Sequence, residues 1–446
     1  MVMNKNSLSS YRDYVLGIES KVPLVDGKLT TAINFDNAAT TPPFKTVMDA
    51  VNVFSPWYSS IHRGTGYKSK YSSRLYEEAR EIVTEFVNAD FNKDTVIFVK
   101  NSTEALNKLS YRLDKNNNRN MVLSSYMEHH SNDLPWRDKF RVDYIDIDKY
   151  GRLSLEDLKS KLEKYKDSVR LVTIVGTSNV TGYKNSIHEI AKLSHMYGAE
   201  IMVDGAQLVP HCPVDMKPKD SQKHIDYLVF SAHKMYAPFG IGVLIGPKSV
   251  FDKGNPDYSG GGTIDIVTHN YIKWAEPPHK EEAGSPNIIG VIALTAAIET
   301  LTMFGMENIF IHEKGLTDYT INRLKQIPDI IIYGDTENYH DRLGIITFNI
   351  KGIHHEILAN ILSYEAGIAV RNGCFCAHPY IHRLLNVKQD EIEKRIKNPE
   401  LPHPGMVRIS FGLYNTYKEI DIFIECLKTI IKNKKYYIRK YDFFSK

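Results

Sequence analysis

Between residues 96 and 245 the chain alternates short apolar runs with amphipathic stretches, and this pattern most narrows the folds open to it. The apolar runs predict strands at residues 96–99, 121–124, 141–147, 171–175, 200–203, 227–230 and 240–245. Apolar residues three or four positions apart predict helices between several of these runs, for example at 186–197. Strands that alternate with helices predict an α/β fold, with a mostly parallel sheet that carries helices on both faces.

Beyond residue 306 the alternation gives way to an α+β pattern. Strands are predicted there at 330–333, 343–350, 368–371 and 407–411, and helices at 354–366 and 418–431. We therefore predict a large ligand-binding domain over residues 31–306 and a smaller C-terminal α+β domain over 307–446. Residues 1–30, with a helical lead-in at 11–18, are expected to form an N-terminal extension that packs on the small domain.

Charge and cysteine content limit the partners that the chain is expected to have. The net charge of +3 over 446 residues gives no reason to expect a nucleic-acid or membrane partner. The basic, aromatic tail at 432–446 is interpreted as a helix end or a packing strand. Residues 1–10 lack an apolar signal region, so a cytoplasmic location is expected.

Four cysteines are too few for a disulfide framework, and Cys374-x-Cys376 has no second pair to complete a zinc site, so no metal is expected.

The run at 227–230 ends abruptly in Ser231-Ala232-His233-Lys234. A lysine at the end of a buried strand lies where α/β sheets bind ligands. Desolvation favours the neutral amine, which can attack a carbonyl, and the serine and histidine can donate hydrogen bonds to an anion. One interpretation is a lysine that bonds covalently to the aldehyde of pyridoxal phosphate (PLP). The alternative is a surface lysine that follows a core strand.

PLP needs further groups, and candidates for each follow other predicted strands. Asp204 can pair with the ring nitrogen, which keeps the ring an electron acceptor. Gln207 can donate to the phenolic oxygen of the ring. His129 can stack on the ring and move protons near neutral pH. Ser231, His233 and the helix start at Ser102 and Thr103 suit the phosphate, although Ser102 or Thr103 could instead simply cap that helix.

These residues resemble a known family, the class V (fold type I) PLP enzymes, and within it the Suf-type cysteine desulfurases. The resemblance rests on motifs such as Val203-Asp204-Gly205-Ala206-Gln207 and Phe230-Ser231-Ala232-His233-Lys234. Other matching segments are 37–39, 102–104, 127–130, 177–182, 260–263, 282–287, 370–379 and 408–416. They follow the family order over about residues 31–430, and they imply a large domain with a seven-stranded sheet.

The resemblance also implies roles for residues outside the cofactor set. Arg408 would bind the substrate carboxylate, with Asn179, Arg371 and the small residue Ala38 close by. Cys376 aligns with the nucleophile that takes sulfur from L-cysteine, which leaves a persulfide and releases alanine. Thr263 would reach the phosphate bound by the other subunit of a homodimer with composite sites. A sulfur-acceptor protein, in iron–sulfur cluster assembly or another thio-cofactor pathway, would then receive the sulfur.

Departures from the family pattern keep other activities open. Asn372 and Cys374 replace the Thr and His usual in the Suf-type loop, and 28 residues separate Pro379 from Arg408. Cys374 could pair with another thiol, relay sulfur or only fill space in the loop. The main alternative is another class V enzyme, an aminotransferase, a C–S lyase or an epimerase, in which Cys376 is not the nucleophile. A PLP-fold scaffold without catalysis is a further alternative, and the intact set of Lys234, Asp204 and His129 argues against it.

Overall fold

The computed structural model describes residues 8–113 and 119–441, so residues 442–446 of the basic tail lie outside the described part. The strands are β1 (Lys21–Pro23), β2 (Leu29–Thr31), β3 (Ile33–Asn34), β4 (Asp94–Val99), β5 (Met121–Ser125), β6 (Arg141–Ile145), β7 (Val169–Val175), β8 (Glu200–Asp204), β9 (Tyr227–Ser231), β10 (Gly242–Pro247), β11 (Ile264–Thr268), β12 (Tyr271–Trp274), β13 (Ile330–Ile332), β14 (Ile345–Ile350), β15 (Ile368–Ala369), β16 (Arg371–Gly373) and β17 (Met406–Ser410).

The helices are α1 (Leu8–Asp13), α2 (Lys45–Phe54), α3 (Tyr67–Phe86), α4 (Ser102–Arg112), α5 (Leu134–Arg137), α6 (Leu155–Tyr165), α7 (Ile187–Met196), α8 (Lys248–Phe251), α9 (Ile288–Phe304), α10 (Met306–Leu324), α11 (His355–Ala366), α12 (His378–Leu384), α13 (Gln389–Lys397), α14 (Tyr417–Lys432) and α15 (Lys434–Tyr441).

A seven-stranded sheet in the order β4-β10-β9-β8-β7-β5-β6 forms the centre of the larger part of the molecule. The pairs β9–β8, β8–β7, β7–β5 and β5–β6 are parallel, while β10 runs antiparallel to both of its neighbours. The prediction of a mostly parallel, seven-stranded sheet is therefore confirmed. Because parallel neighbours share a direction, the carboxyl ends of β5, β7, β8 and β9 meet at one edge, where such sheets bind ligands.

Both faces of this sheet are buried except along the edge strand β6, which explains why the other six strands appear as nearly continuous apolar runs. Along β4, Val96 and Phe98 point into one hydrophobic core, which also contains buried residues of α2, α3, α7 and α9. Ile97 and Val99 point into a second core, formed with α4, α5 and α8. Helices therefore cover both faces, as the sequence predicts.

A four-stranded antiparallel sheet, β13-β14-β17-β16, lies in the C-terminal part of the chain. Helices α11 and α14 pack on it around another core that includes Phe348, Leu358 and Phe423. The N-terminal residues contact both parts: Tyr11 and Val15 belong to a core of the large sheet, and the Val25 N–H donates to Tyr364 O at 2.8 Å. The domain boundaries at residues 30 and 306 stay a prediction.

The structure adds elements that the sequence pattern did not indicate. The exposed hairpin β11–β12 follows the Gly-rich segment at 260–263. Helices α12 and α13 occupy much of the segment between Pro379 and Arg408. The strand predicted at 368–371 is in fact two strands, because the chain leaves its parallel partner β3 after Ala369 and joins β17 at Arg371.

Within residues 8–113 and 119–441, no single helix has both the length and the apolar character needed to cross a bilayer. Helices α9 and α10 meet that test only when taken together, and they are bent by 76° relative to each other.

Candidate active site

A cavity of about 260 Å³ lies at the carboxyl edge of the large sheet, where β16 and β17 of the smaller sheet also approach. All but one of the predicted site residues line it: Ala38, Ser102, Thr103, His129, Asn179, Asp204, Gln207, Ser231, His233, Lys234, Arg371, Cys376 and Arg408. The exception is Thr263, which is buried elsewhere, where its hydroxyl donates to Gly260 O at 2.8 Å. Parallel topology thus brings together side chains that lie far apart in the sequence.

Lys234 and Asp204 come from neighbouring parallel strands. Asp204 is the last residue of β8, and Lys234 lies in the single 3-10 turn that follows β9. Burial lowers the pKa of Lys234 to about 8, against the opposing effect of the Asp204 charge. Burial also raises the pKa of Asp204, while the Ala206 N–H donates to Asp204 Oδ1 at 3.0 Å. A lysine that deprotonates near pH 8 is available as a nucleophile and as a proton carrier.

His129 is held in one tautomer by the turn after β5. The Ser131 N–H donates to His129 Nδ1 at 3.1 Å, so the ring proton is on Nε2. Burial, reinforced by the positive charges of Lys234, His130 and Arg408, lowers the pKa of His129 to about 3. The ring is therefore neutral at physiological pH, and it can lie against a flat ligand without adding charge to the cavity.

Hydrogen-bond donors gather where α4 begins. The sequence predicts Ser102 or Thr103 as a cap or as a ligand, and the cap prediction is wrong. Asn101 caps α4 instead, since its Oδ1 accepts from the Glu104 N–H at 3.0 Å. Asn is among the residues that most favour this position, so composition could have identified it.

Ser231 ties β9 to the same helix start. Its hydroxyl oxygen accepts from the Ser102 N–H at 2.8 Å, and its O–H donates to Ser102 Oγ at 3.0 Å. The Thr103 hydroxyl lies 2.7 Å from Ser131 Oγ, and its own N–H has no hydrogen-bond partner among the described residues. A helix start with a free N–H and four neighbouring hydroxyls is well suited to bind an anion.

Three buried polar atoms beside the cavity lack partners within the described parts of the chain: Gln207 Oε1, Asn179 Oδ1 and Arg408 Nε. One N–H of Gln207 Nε2 is already committed to Ala38 O at 2.7 Å, and Asn179 Nδ2 donates to Phe375 O at 2.7 Å. Buried polar atoms are normally paired, so three unpaired ones around one cavity point to a polar ligand. The residues present fit PLP: an amine for its aldehyde, a carboxylate for its nitrogen, and donors for its phosphate.

Arg408 enters the cavity from β17 with its guanidinium fixed on both sides. Nη1 donates to Asn179 O at 2.9 Å, and Nη2 donates to Asp36 Oδ1 at 3.0 Å. The Phe375 ring packs on the guanidinium, with its centroid 4.9 Å from Cζ. Sequence reasoning missed Asp36, although it directly precedes the segment Asn37-Ala38-Ala39. Its role depends on a strand 372 residues away, which no local pattern reports.

Cys376 is exposed to solvent and also lines the cavity. Phe375 and Cys376 both have left-handed backbones, with φ of 48° and 54°. Two contacts hold this turn: the His130 N–H donates to Cys376 O at 2.7 Å, and Asn179 donates to Phe375 O. The thiol therefore sits on a fixed turn between the cavity and the surface.

Cys374 has a different environment from Cys376. It is buried, its thiol donates to Pro404 O at 3.0 Å, and burial raises its pKa to about 11. Pro404 belongs to the end of the segment at 380–406, which therefore packs behind the cysteine turn. His403 O of the same segment lies 3.1 Å from His355 Nε2.

Comparison with known proteins agrees with this arrangement. Residues 33–423 match the family model described as Aminotransferase class-V. A cysteine desulfurase of Haloferax volcanii is 35% identical over 410 residues, which cover 90% of this chain and 90% of that protein. A probable cysteine desulfurase of Synechocystis is 34% identical, over 90% of this chain and 91% of that protein. The solved apo structure of a cysteine desulfurase from Thermococcus onnurineus superposes with a TM-score of 0.80 at 32% identity, over 90% of this chain and 95% of that one.

Proposed function

The chain belongs to the class-V aminotransferase family, and on that premise we propose that it is a PLP-dependent cysteine desulfurase. The proposed reaction converts L-cysteine to L-alanine, moves the sulfur to Cys376 as a persulfide, and passes it to an acceptor. The observation that carries the proposal is the position of Cys376. An exposed thiol lines the same cavity as a half-buried lysine of lowered pKa and a buried arginine.

Different residues of the cavity would bind different parts of PLP. Lys234 would hold its aldehyde, Asp204 its ring nitrogen, and His129 its ring face, while Gln207 has a second N–H for the phenolic oxygen. Ser102, Thr103, Ser231 and His233 would hold its phosphate. When bound, PLP supplies an electron sink that weakens the bonds to the α-carbon of an amino acid.

Arg408 is the proposed binding group for the substrate carboxylate. Each terminal nitrogen donates one of its two N–H groups, to Asn179 or to Asp36, so the unpaired Nε–H and the second N–H of each terminal nitrogen remain for a ligand. These fixed contacts prevent the guanidinium from turning, and they orient the substrate before reaction. Asn179 Oδ1, also unpaired, can accept from the substrate ammonium.

Proton and sulfur movements then fall to two side chains. Lys234 Nζ takes a proton from the substrate α-carbon and later returns one, a role that a pKa of about 8 permits near neutral pH. Cys376 Sγ attacks the substrate sulfur: an S–S bond forms and the C–S bond breaks. One thiol and one cysteine thus yield one persulfide and one alanine, with no external oxidant.

We also infer a homodimer in which Thr263 serves the phosphate site of the other subunit. Thr263 lies outside the cavity of its own chain, and the hairpin that follows it exposes apolar side chains. Ile266, Val267, Tyr271 and Ile272 are 51%, 56%, 58% and 49% exposed. Such a surface favours burial against a partner of this chain. Analytical ultracentrifugation of the wild type should give the mass of a dimer, and Ile266→Asp should shift the equilibrium toward the monomer. A wild-type protein that sediments as a monomer would contradict the inference.

The direct test of function is an assay with L-cysteine and a reductant. The holoenzyme should form alanine and sulfide in equal amounts. Formation of pyruvate instead of alanine would favour a C–S lyase, and transfer of the amino group to a keto acid would favour an aminotransferase. Either result would overturn the desulfurase proposal.

A further inference from the structure

His195, His224 and Asp226 form a compact group at the end of the large sheet that is far from the cavity. Asp226 directly precedes the first residue of β9, whereas Lys234 follows the last. His195 lies in the last turn of α7, and His224 lies in the loop before β9. One ligand atom from each of the three side chains lies within 4.8 Å of the others. The proposed reaction does not use this group.

Backbone contacts fix the tautomer of both histidines. His195 Nδ1 lies 2.8 Å from Gln222 O, and His224 Nδ1 lies 2.6 Å from Ser221 O. A carbonyl oxygen only accepts hydrogen bonds, so each Nδ1 must carry a proton. In a neutral ring, Nε2 then presents a lone pair.

Both Nε2 atoms face the same carboxylate, one on each oxygen. His195 Nε2 is 2.8 Å from Asp226 Oδ2, and His224 Nε2 is 2.9 Å from Oδ1. A lone pair directed at a carboxylate oxygen is repulsive, so positive charge must lie between them. Two protons would place two imidazolium rings in a stack, with centroids only 4.2 Å apart. A single divalent cation supplies the charge without that repulsion.

We propose that His195 Nε2, His224 Nε2 and the Asp226 carboxylate form a binding site for zinc or a similar divalent transition-metal ion. Metal-binding histidines usually donate their other N–H to a carbonyl or carboxylate, as both rings do here. The Ile201 N–H donates to Asp226 Oδ2 at 2.9 Å and orients the carboxylate in the same way. Zinc takes such nitrogen and oxygen ligands at about 2.0–2.2 Å, so tetrahedral neighbours lie about 3.3 Å apart.

Each Nε2–carboxylate distance therefore needs to lengthen by only about half an ångström to admit zinc, which small side-chain rotations can supply. The histidine side chains are 16% and 15% exposed, which gives a water access to the fourth position. Lys219 and Arg170 are nearby cations, and both are paired elsewhere: the Lys219 ammonium with Asp94 Oδ1 at 3.1 Å, and Arg170 Nη1 with Glu200 Oε1 at 2.9 Å. Bound metal would join the end of α7 to the start of β9, so its expected effect is on stability.

Zinc titration of the metal-stripped full chain tests the site. A Cys376→Ser background removes the exposed thiol as a competing ligand. We expect one equivalent of zinc to bind, and His224→Gln to weaken this binding by more than about 100-fold, the upper range for loss of a mere outer-shell partner. His188→Gln is the matched control, because His188 also contacts a loop carbonyl through Nδ1 but lies outside the group. If the protein binds no zinc, or if His224→Gln binds zinc as tightly as the background protein, the three side chains are joined only by protons. Either result would overturn the proposal.

A second measurement needs no variant in the group. Diethyl pyrocarbonate modifies neutral imidazole nitrogens, and mass spectrometry locates the label. In the wild-type holoenzyme, zinc should protect His195 and His224 and leave His188 labelled as before. Equal labelling of His195 and His224 with and without zinc would contradict the site, whatever the fate of the variants.

Discussion

Arg371 and Arg408 lie directly opposite each other on neighbouring antiparallel strands, and both approach the carboxylate of Asp36. Arg408 Nη2 is 3.0 Å from Oδ1 and its side chain is buried, whereas Arg371 Nη1 is 3.8 Å from Oδ2 and its side chain is 57% exposed. One carboxylate thus orients a buried cation inside the cavity and a solvent-facing cation at its rim.

Arg408→Lys should raise KM for cysteine at least about ten-fold, because an ammonium cannot reproduce the fixed, planar set of guanidinium contacts. The absorbance of bound PLP should stay near that of the wild type, since Arg408 is assigned to the substrate. Steady-state kinetics beside a visible spectrum measure both. Arg323→Lys, at a surface ion pair with Asp421, is the control and should leave KM unchanged. A fall in PLP binding with an unchanged KM would reverse the assignment.

The two cysteines of the turn should differ sharply when each is replaced by serine. Cys376→Ser should abolish alanine and sulfide formation and keep the PLP absorbance, because the sulfur acceptor is removed and the cofactor groups are intact. Cys374→Ser should keep most activity, since serine can donate to Pro404 O as the thiol does. Alanine measured by chromatography distinguishes the pair. Full activity in Cys376→Ser would exclude the persulfide step.

Reloading of the PLP-free protein should follow the ionisation of Lys234. Only the neutral amine attacks an aldehyde, and burial lowers the pKa of Lys234 to about 8. The rate should therefore rise about ten-fold per pH unit below pH 8 and level off above it. Stopped-flow absorbance measures the rate, with N-acetyl-lysine as the control amine, whose rate should still rise above pH 9. Lys234→Ala should give no borohydride-stable label. If the rate of PLP binding by the protein depends on pH as it does for N-acetyl-lysine, the pKa of Lys234 is not lowered.

Asp204→Asn should lower kcat by about 100- to 1000-fold while PLP still binds. Asparagine keeps the volume and can still accept from the Ala206 N–H, but it removes the negative charge beside the ring nitrogen. Single-turnover kinetics with cysteine would report the loss. Unchanged kcat in this variant would mean that another group holds the ring nitrogen.

Asn101→Ala should both lower stability and weaken PLP binding. Loss of a helix cap costs about 1 kcal/mol, and here the uncapped helix also forms the expected phosphate site. Ser154→Ala removes the corresponding cap of α6, where Ser154 Oγ accepts from the Asp157 N–H at 3.1 Å. Thermal unfolding should shift similarly in the two variants, but only Asn101→Ala should raise the PLP dissociation constant. If Asn101→Ala and Ser154→Ala bind PLP equally well, the cap of α4 does not contribute to cofactor binding.

Agreement between sequence and structure is best where burial is complete. Strands β4 to β10 begin and end within two residues of their predicted bounds, because all of them except the edge strand β6 are apolar on both faces and are interrupted by turn residues. Helix α7 begins and ends within one residue of the predicted bounds 186–197. Motif resemblance predicted thirteen residues that line the cavity, and most of them lie at the end of a strand or at the start of a helix, whereas Arg371 and Arg408 lie within strands.

The missed features depend on contacts that sequence patterns do not encode. Helix α13 contains only two apolar residues, Ile392 and Ile396, which is too few to predict an amphipathic helix, and none of its side chains is buried. The hairpin β11–β12 is mostly exposed, and its apolar residues show no alternation of burial. Asp36 acquires its role only when β17 brings Arg408 beside it. Family resemblance and buried periodicity therefore predicted the cofactor end of the cavity better than its supporting contacts.

The turn at Phe375 and Cys376 also determines how sulfur can leave the molecule. His130 and Asn179 hold both carbonyls of the turn, so the thiol can sweep only the small arc that its own side-chain rotation allows. A persulfide formed there is not moved outward by a mobile loop, so its acceptor has to bind at the rim of the cavity. The rate of sulfur transfer to a physiological acceptor should therefore be first order in enzyme and first order in acceptor. It should depend on the frequency of collision and on how well the surface of the acceptor complements the rim around Cys376.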